Sequence, residues 1–248
     1  MKASLNELKK IIKKELHERV VTGRRLDRYA TAFSREIIIA LKDSDLKEYV
    51  SENKEATFSL TTELLNDLEW VRDVVVNVKI EQPIEGNVVH GSYDWILDDD
   101  EETRPQSDVY VNIEFSQLYT DQDFSVLIPK LKETLRHELE HSGQPTAMLK
   151  STYEKIPDKE IWKTLEVAED YYTSESEVKG HIAGIYKRAK TEKKPAEDVL
   201  DHILDEVYHT GLSYGYSPEE IIPIVRRARE LWRYYLVWRY PAADIDVS

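Results

Sequence analysis

The chain has 248 residues, 41% of them hydrophobic and 33% charged, with five Trp and fifteen Tyr; this is enough to build a buried core and argues against a disordered chain. The net charge of −14 argues against nonspecific nucleic-acid binding, which needs a basic face. Cysteine is absent, which excludes disulfides, thiolate metal sites and a cysteine nucleophile.

The N-terminus departs from the overall charge. Residues 1–28 hold nine Lys/Arg against four Asp/Glu, a local excess of +5 (9 − 4). Leu5, Leu8, Ile12 and Leu16 recur at spacings of three and four, which predicts an amphipathic helix. Such a helix packs on its own domain, docks on an assembly partner or lies on an anionic membrane surface; Glu7, Glu15 and Glu18 weaken the last use. A break is expected near Thr22-Gly23, then a second helix over about 26–50 with Tyr29, Phe33, Ile37 and Ala40 in its stripe. No apolar run approaches the ~18 residues of a membrane span. The first twenty residues lack the continuous apolar core of a secretion signal, so a cytoplasmic chain, not secreted by a signal peptide, is expected.

The period then changes. VVVNVKI (74–80) is rich in β-branched residues. VYVNIEF (109–115) alternates, with Val109, Val111, Ile113 and Phe115 on one face and Tyr110, Asn112 and Glu114 on the other. Both predict strands. Between them, Pro83, Gly86, Gly91 and the acidic run Asp98–Glu102 predict turns and a solvated loop, with a short strand around Val88–Ile96. From Asp123 the helical period returns through Phe124, Leu127, Ile128, Leu131, Leu135 and Leu139, and Ser142-Gly143 followed by Pro145 signals a stop. Further helices are expected over about 158–170, 174–191, 195–210 and 218–238, the last rich in aromatic residues. The fold class expected is α+β, with a small sheet and helices around it. Three segments are expected: an N-terminal helical extension (1–69), a core (70–191) and a C-terminal helical region (192–248).

The helix from Asp123 carries His137-Glu138-Leu139-Glu140-His141, an H-E-x-x-H pattern. Histidines four apart on a helix share a face, with Cβ atoms roughly 5–6 Å apart, so both imidazoles can meet one ion at about 2.0–2.1 Å. Glu138 projects about 100° round from His137, beside the ion. A metal held there lowers the pKa of bound water toward ~7, and a carboxylate in that position can take its proton. The plain alternative is a pair of solvated histidines on an acidic helix. No G-x-S-x-G or Walker loop is present, so serine and phosphate chemistry find no support.

A strand, then a helix bearing HELEH, then a downstream helix bearing a glutamate resembles the zincin metallopeptidases, specifically the glutamate-zincin arrangement, over roughly residues 70–190. The resemblance implies a zincin-like core in which His137 and His141 are zinc ligands and Glu138 the general base of peptide hydrolysis. A third ligand is implied downstream. Glu177, followed three residues on by Gly180, is similar to the E-x-x-A element of small phage and bacterial zincins, with Gly in place of Ala. Glu166 with Asp170 fits the E-x-x-x-D pattern of thermolysin-like enzymes; Glu169 and Glu175 remain open. His181, four residues after Glu177, shares its face and is a candidate catalytic residue for oxyanion stabilisation; Tyr172, His209 and Tyr214 are others, each with a structural alternative. The resemblance also implies a peptide or protein substrate laid as an added strand at the sheet edge, with VYVNIEF the expected edge. Zinc is read from ligand type. The stretch MKASLNELKKIIKKEL is similar to the short basic helices that open many proteins of large tailed phages, which implies a phage-encoded protein. The competing function is a structural or assembly protein, such as a virion component, that keeps the fold without the chemistry. The helices outside the core and the aromatic WRYYLVWRY favour it; Glu138, which a structural metal site does not need, favours the enzyme.

Overall fold

The computed structural model describes residues 5–60, 65, 68, 71–81, 88–95, 107–144, 148, 149, 152 and 160–241, with backbone alone at 5–22 and 93–95. Among these, seven helices surround one four-stranded sheet. The order is α1 (Leu5–Leu41), α2 (Ser44–Asn53), β1 (Glu55–Ser59), β2 (Val71–Ile80), β3 (Val88–Trp95), β4 (Ser107–Phe115) and α3 (Asp123–Ser142), then α4 (Leu165–Thr173), α5 (Glu175–Glu192), α6 (Ala196–Ser213) and α7 (Pro218–Arg239). The fold class is α+β, as the periodicities predict. The sheet is mixed, in the order β1-β2-β4-β3; β2 and β4 run parallel, and β1 and β3 pair antiparallel to them.

The strand alternation sets which face is buried. Val109, Val111, Ile113 and Phe115 of β4 and Val74, Val76 and Val78 of β2 are buried. They meet Leu127, Leu131, Leu135 and Leu139 of α3 and Phe33, Ile37 and Leu41 of α1 in one apolar core. A second core joins α4 to α7 around Trp162, Ile182, Leu200, Ile221 and Trp232. Helices α3 and α5 lie against each other where the two cores meet. Burying a leucine side chain is worth about 1.5–3 kcal/mol, so these layers hold α3 rigidly over the sheet.

Three expectations need correction. Helix α1 runs through Thr22-Gly23 without a break. A glycine inside a helix costs only about 1 kcal/mol, and the buried stripe that begins at Leu26 and Tyr29 outweighs it. The break falls instead at Asp43, whose carboxylate accepts from the backbone N–H groups of Asp45 and Leu46 and caps α2. VYVNIEF is not the sheet edge: β4 is paired on both sides, and the strand at that end of the sheet is β3. A strand buried this fully takes neighbours on both flanks, while β3 carries Gly91 and His90 and closes the sheet beside α3. Strand β1 was not expected within the N-terminal helical segment. The acidic run Asp98–Glu102, Pro83, Gly86, Pro145 and the side chains of Leu5, Leu8, Ile12 and Leu16 lie outside the described residues.

Candidate metal centre

The C-terminal half of α3 is not a solvated surface. Arg136, Glu138, Leu139, Glu140, His141 and Ser142 are all buried, His141 to 1% exposure. Burying so many polar groups is costly unless each finds a partner, and the partners divide the helix into two faces. Arg136 donates from Nε to Asp27 of α1 at 3.0 Å and from Nη1 to Glu140 at 2.7 Å. Glu140 also meets Arg239 of α7 at 2.7 Å. Burial opposes ionisation of Glu140, but the two guanidinium groups outweigh it and hold the carboxyl down to about 2. Glu140, a variable position of the motif, is therefore a structural anion that ties α1, α3 and α7 together.

The other face carries the histidines. His137 Nε2 and His141 Nε2 lie 3.0 Å apart. Glu177 sits in the first turn of α5, whose N-cap is Ser174. Its carboxylate oxygens lie 3.4 Å from His137 Nε2 and 3.5 Å from His141 Nε2. Ligand atoms bound to one tetrahedral ion at 2.0–2.1 Å stand about 3.3–3.4 Å apart, so these three side chains are spaced as ligands of a common ion. Glu138 belongs to the same cluster: one ligand atom each from His137, Glu138 and His141 fall within 4.8 Å of one another. Hard and borderline divalent cations suit such a donor set of two imidazoles and a carboxylate, so the residues present fit the metal that the motif implies.

Electrostatics agree with a cationic occupant. Burial disfavours charge on His141, but the Glu177 carboxylate outweighs it and pushes the imidazole up to about 9. Glu177 is held well below the usual carboxylate range by His141 and His137, against the effect of burial. Two glycines make the cluster sterically feasible. A Cβ on Gly180 would fall 2.8 Å from His137 Nε2, so only glycine lets α5 approach the ring. A Cβ on Gly91 of β3 would fall 2.6 Å from Thr134 Cγ2 and 2.7 Å from Glu138 Cγ, which places Glu138 between the ligands and the edge strand.

The remaining candidates separate clearly. Glu166 is exposed at the start of α4. Glu169 pairs with Arg227 and Glu175 with Lys179 at 2.5 Å. His209 and Tyr214 are exposed on and just after α6. Tyr172 is buried, its backbone carbonyl accepting from Trp232 Nε1 at 2.8 Å. His181 does reach the cluster. Its ring stacks on Trp232 at 4.2 Å and meets His137 edge-on at 4.5 Å, and its buried Nε2 has no hydrogen-bond partner. His137, Glu177 and His181 form a second group able to share an ion. Burial first, and neighbouring His137 second, hold His181 well below the ordinary histidine range. Gln144, three residues past His141, was not singled out in the sequence; its Oε1 lies 3.4 Å from His141 Nδ1. Comparison with protein-family models, curated proteins and solved structures returns no match, so the geometry of this cluster carries the functional assignment.

Proposed function

We propose that the protein is a zincin-type, zinc-dependent metallopeptidase with His137, His141 and Glu177 as metal ligands and Glu138 as general base. The observation that carries this reading is the spacing of 3.0, 3.4 and 3.5 Å among the three ligand side chains, with a second carboxylate, Glu138, in the same cluster. Zinc, when bound, supplies Lewis acidity toward a carbonyl and acidifies water. Glu138 holds the attacking water and takes its proton as the new C–O bond forms. It then returns that proton to the amine nitrogen as the C–N bond breaks. His181, kept neutral by its surroundings, is suited to donate a hydrogen bond to the developing oxyanion. The outer edge of β3, beside Glu138 and unpaired among the described residues, is where an extended substrate would add as a strand. Glu138→Gln tests the assignment: zinc is retained and cleavage of a mixed peptide library falls by about a hundredfold or more, the usual contribution of a general base. Equal cleavage by wild type and Glu138→Gln would refute it.

One observation favours a second reading. His181 belongs to an ion-binding group with His137 and Glu177. If His181 joins the other three ligands, the metal has four protein ligands, as structural zinc sites do, and the chain would be a structural or assembly protein. Cobalt substitution separates the two: a spectrum that responds to added azide or to a hydroxamate reports an open position, and one that does not reports a closed site.

A further inference from the structure

A neutral imidazole that binds metal through one nitrogen carries its proton on the other, and that proton needs an acceptor. In His141, Nε2 faces His137 and Glu177, so the proton belongs on Nδ1. The side chain opposite Nδ1 is Gln144, 7% exposed and set just past the end of α3 by a backbone hydrogen bond from its own N–H to the carbonyl of His141 at 2.9 Å. A glutamine amide has an oxygen that accepts and a nitrogen that donates, and its orientation decides which faces the ring. Here the nitrogen end is committed elsewhere: Nε2 donates to the carbonyl of Ser176 at 3.0 Å. Turning the amide over would set its oxygen against that carbonyl oxygen and its NH2 against the ring N–H, two mismatched contacts in a buried site. Ser176 is itself fully buried, with its hydroxyl 2.6 Å from that of Thr152, and it precedes Glu177 in the chain.

We propose that Gln144 is the positioning residue of the metal centre: the Ser176 carbonyl orients its amide, and the amide oxygen fixes His141 with the proton on Nδ1 and Nε2 bare toward the ion. The same side chain ties the ligand on α3 to the backbone beside the ligand on α5. The inference rests on the metal-site reading above. Nothing in the H-E-x-x-H pattern calls for it, because the decisive partner lies 32 residues downstream.

The test uses the full chain as wild type, Gln144→Met and Gln144→Glu. Gln144→Met keeps the volume and loses both hydrogen bonds; Gln144→Glu keeps an acceptor for Nδ1. Zinc affinity is measured by competition with a chromophoric chelator. The His141 ring proton is followed by NMR on isotope-labelled histidine in the zinc-loaded protein, where the ring is neutral. Gln144→Met is expected to weaken zinc by about 10–100-fold and to lose the slowly exchanging Nδ1–H. Gln144→Glu is expected to recover most of the affinity and to keep that proton. Wild-type affinity in Gln144→Met, or equal losses in both variants, would overturn the proposal. Should Gln144→Met fail to fold, a missing Nδ1–H in Gln144→Glu overturns it as well. A wild-type chain that binds no zinc refutes the metal reading itself, an outcome distinct from either of these.

Discussion

At the scale of single residues, the cluster depends on atoms that are absent as much as on ligands that are present. Gly180→Ala adds a Cβ 2.8 Å from His137 Nε2. Helix propensity alone would favour the alanine by about 1 kcal/mol, so a loss of zinc affinity of about tenfold or more in a chain that still folds is the expected result, read by chelator competition alongside thermal melting. Proton competition is a second consequence. His141 lies near 9 in the metal-free site because Glu177 outweighs its burial, and a metal ligand must be deprotonated. Zinc affinity should therefore fall about tenfold per unit as pH drops between about pH 8 and pH 6. An affinity flat across that range would contradict a charged His141. The sequence made His137, Glu138, His141 and the Glu177/Gly180 pair legible, because spacing on a helix fixes which side chains share a face. Gln144 and Gly91 were not legible, because their partners come from other elements, and sequence spacing says nothing about those contacts.

At the scale of elements, α3 does two jobs on two faces. One presents the proposed ligands His137 and His141, while the other is clamped by Arg136, Glu140, Asp27 and Arg239. Removing one partner from a buried, charged network leaves the rest unpaired, and Glu140→Ala should cost about 3–5 kcal/mol, measured by urea unfolding at neutral pH. The acid dependence has a definite sign. Glu140 titrates near 2 in the folded chain, below its unfolded value of about 4.5. Its contribution is thus complete above about pH 4.5 and is lost as pH falls toward 2, for a total of about 3 kcal/mol. The stability gap between wild type and Glu140→Gln should narrow over that range; a constant gap would contradict the ion pairing. The strand β4 shows where element-level reading stops. Its alternation revealed a buried face, but strand order is decided by pairing with β2 and β3 across the chain. Strand β1 was missed because EATFS is short, polar and half-exposed, with too few apolar positions to show a period of two. The Thr22-Gly23 pair was overread for the opposite reason: a local breaker signal yields to the burial of Leu26, Ala30 and Phe33.

At the scale of the whole molecule, the candidate centre lies where two apolar cores meet. The sheet, α1, α2 and α3 form one, and α4 to α7 form the other. The proposed ligands come from both sides, His137 and His141 from the first and Glu177 from the second, so an ion held by all three would cross-link them. Zinc at a hundred times its dissociation constant should add about 2.7 kcal/mol to the folded state, visible as a rise in melting temperature that His141→Ala abolishes. No described helix is long and apolar enough to cross a membrane. The most direct test of the central claim is zinc content per chain by elemental analysis, for wild type beside Glu138→Ala and His141→Ala. About one zinc in wild type and in Glu138→Ala, with sharp loss in His141→Ala, is the predicted result. A wild-type chain that takes up no zinc, even after refolding with the metal present, would contradict it.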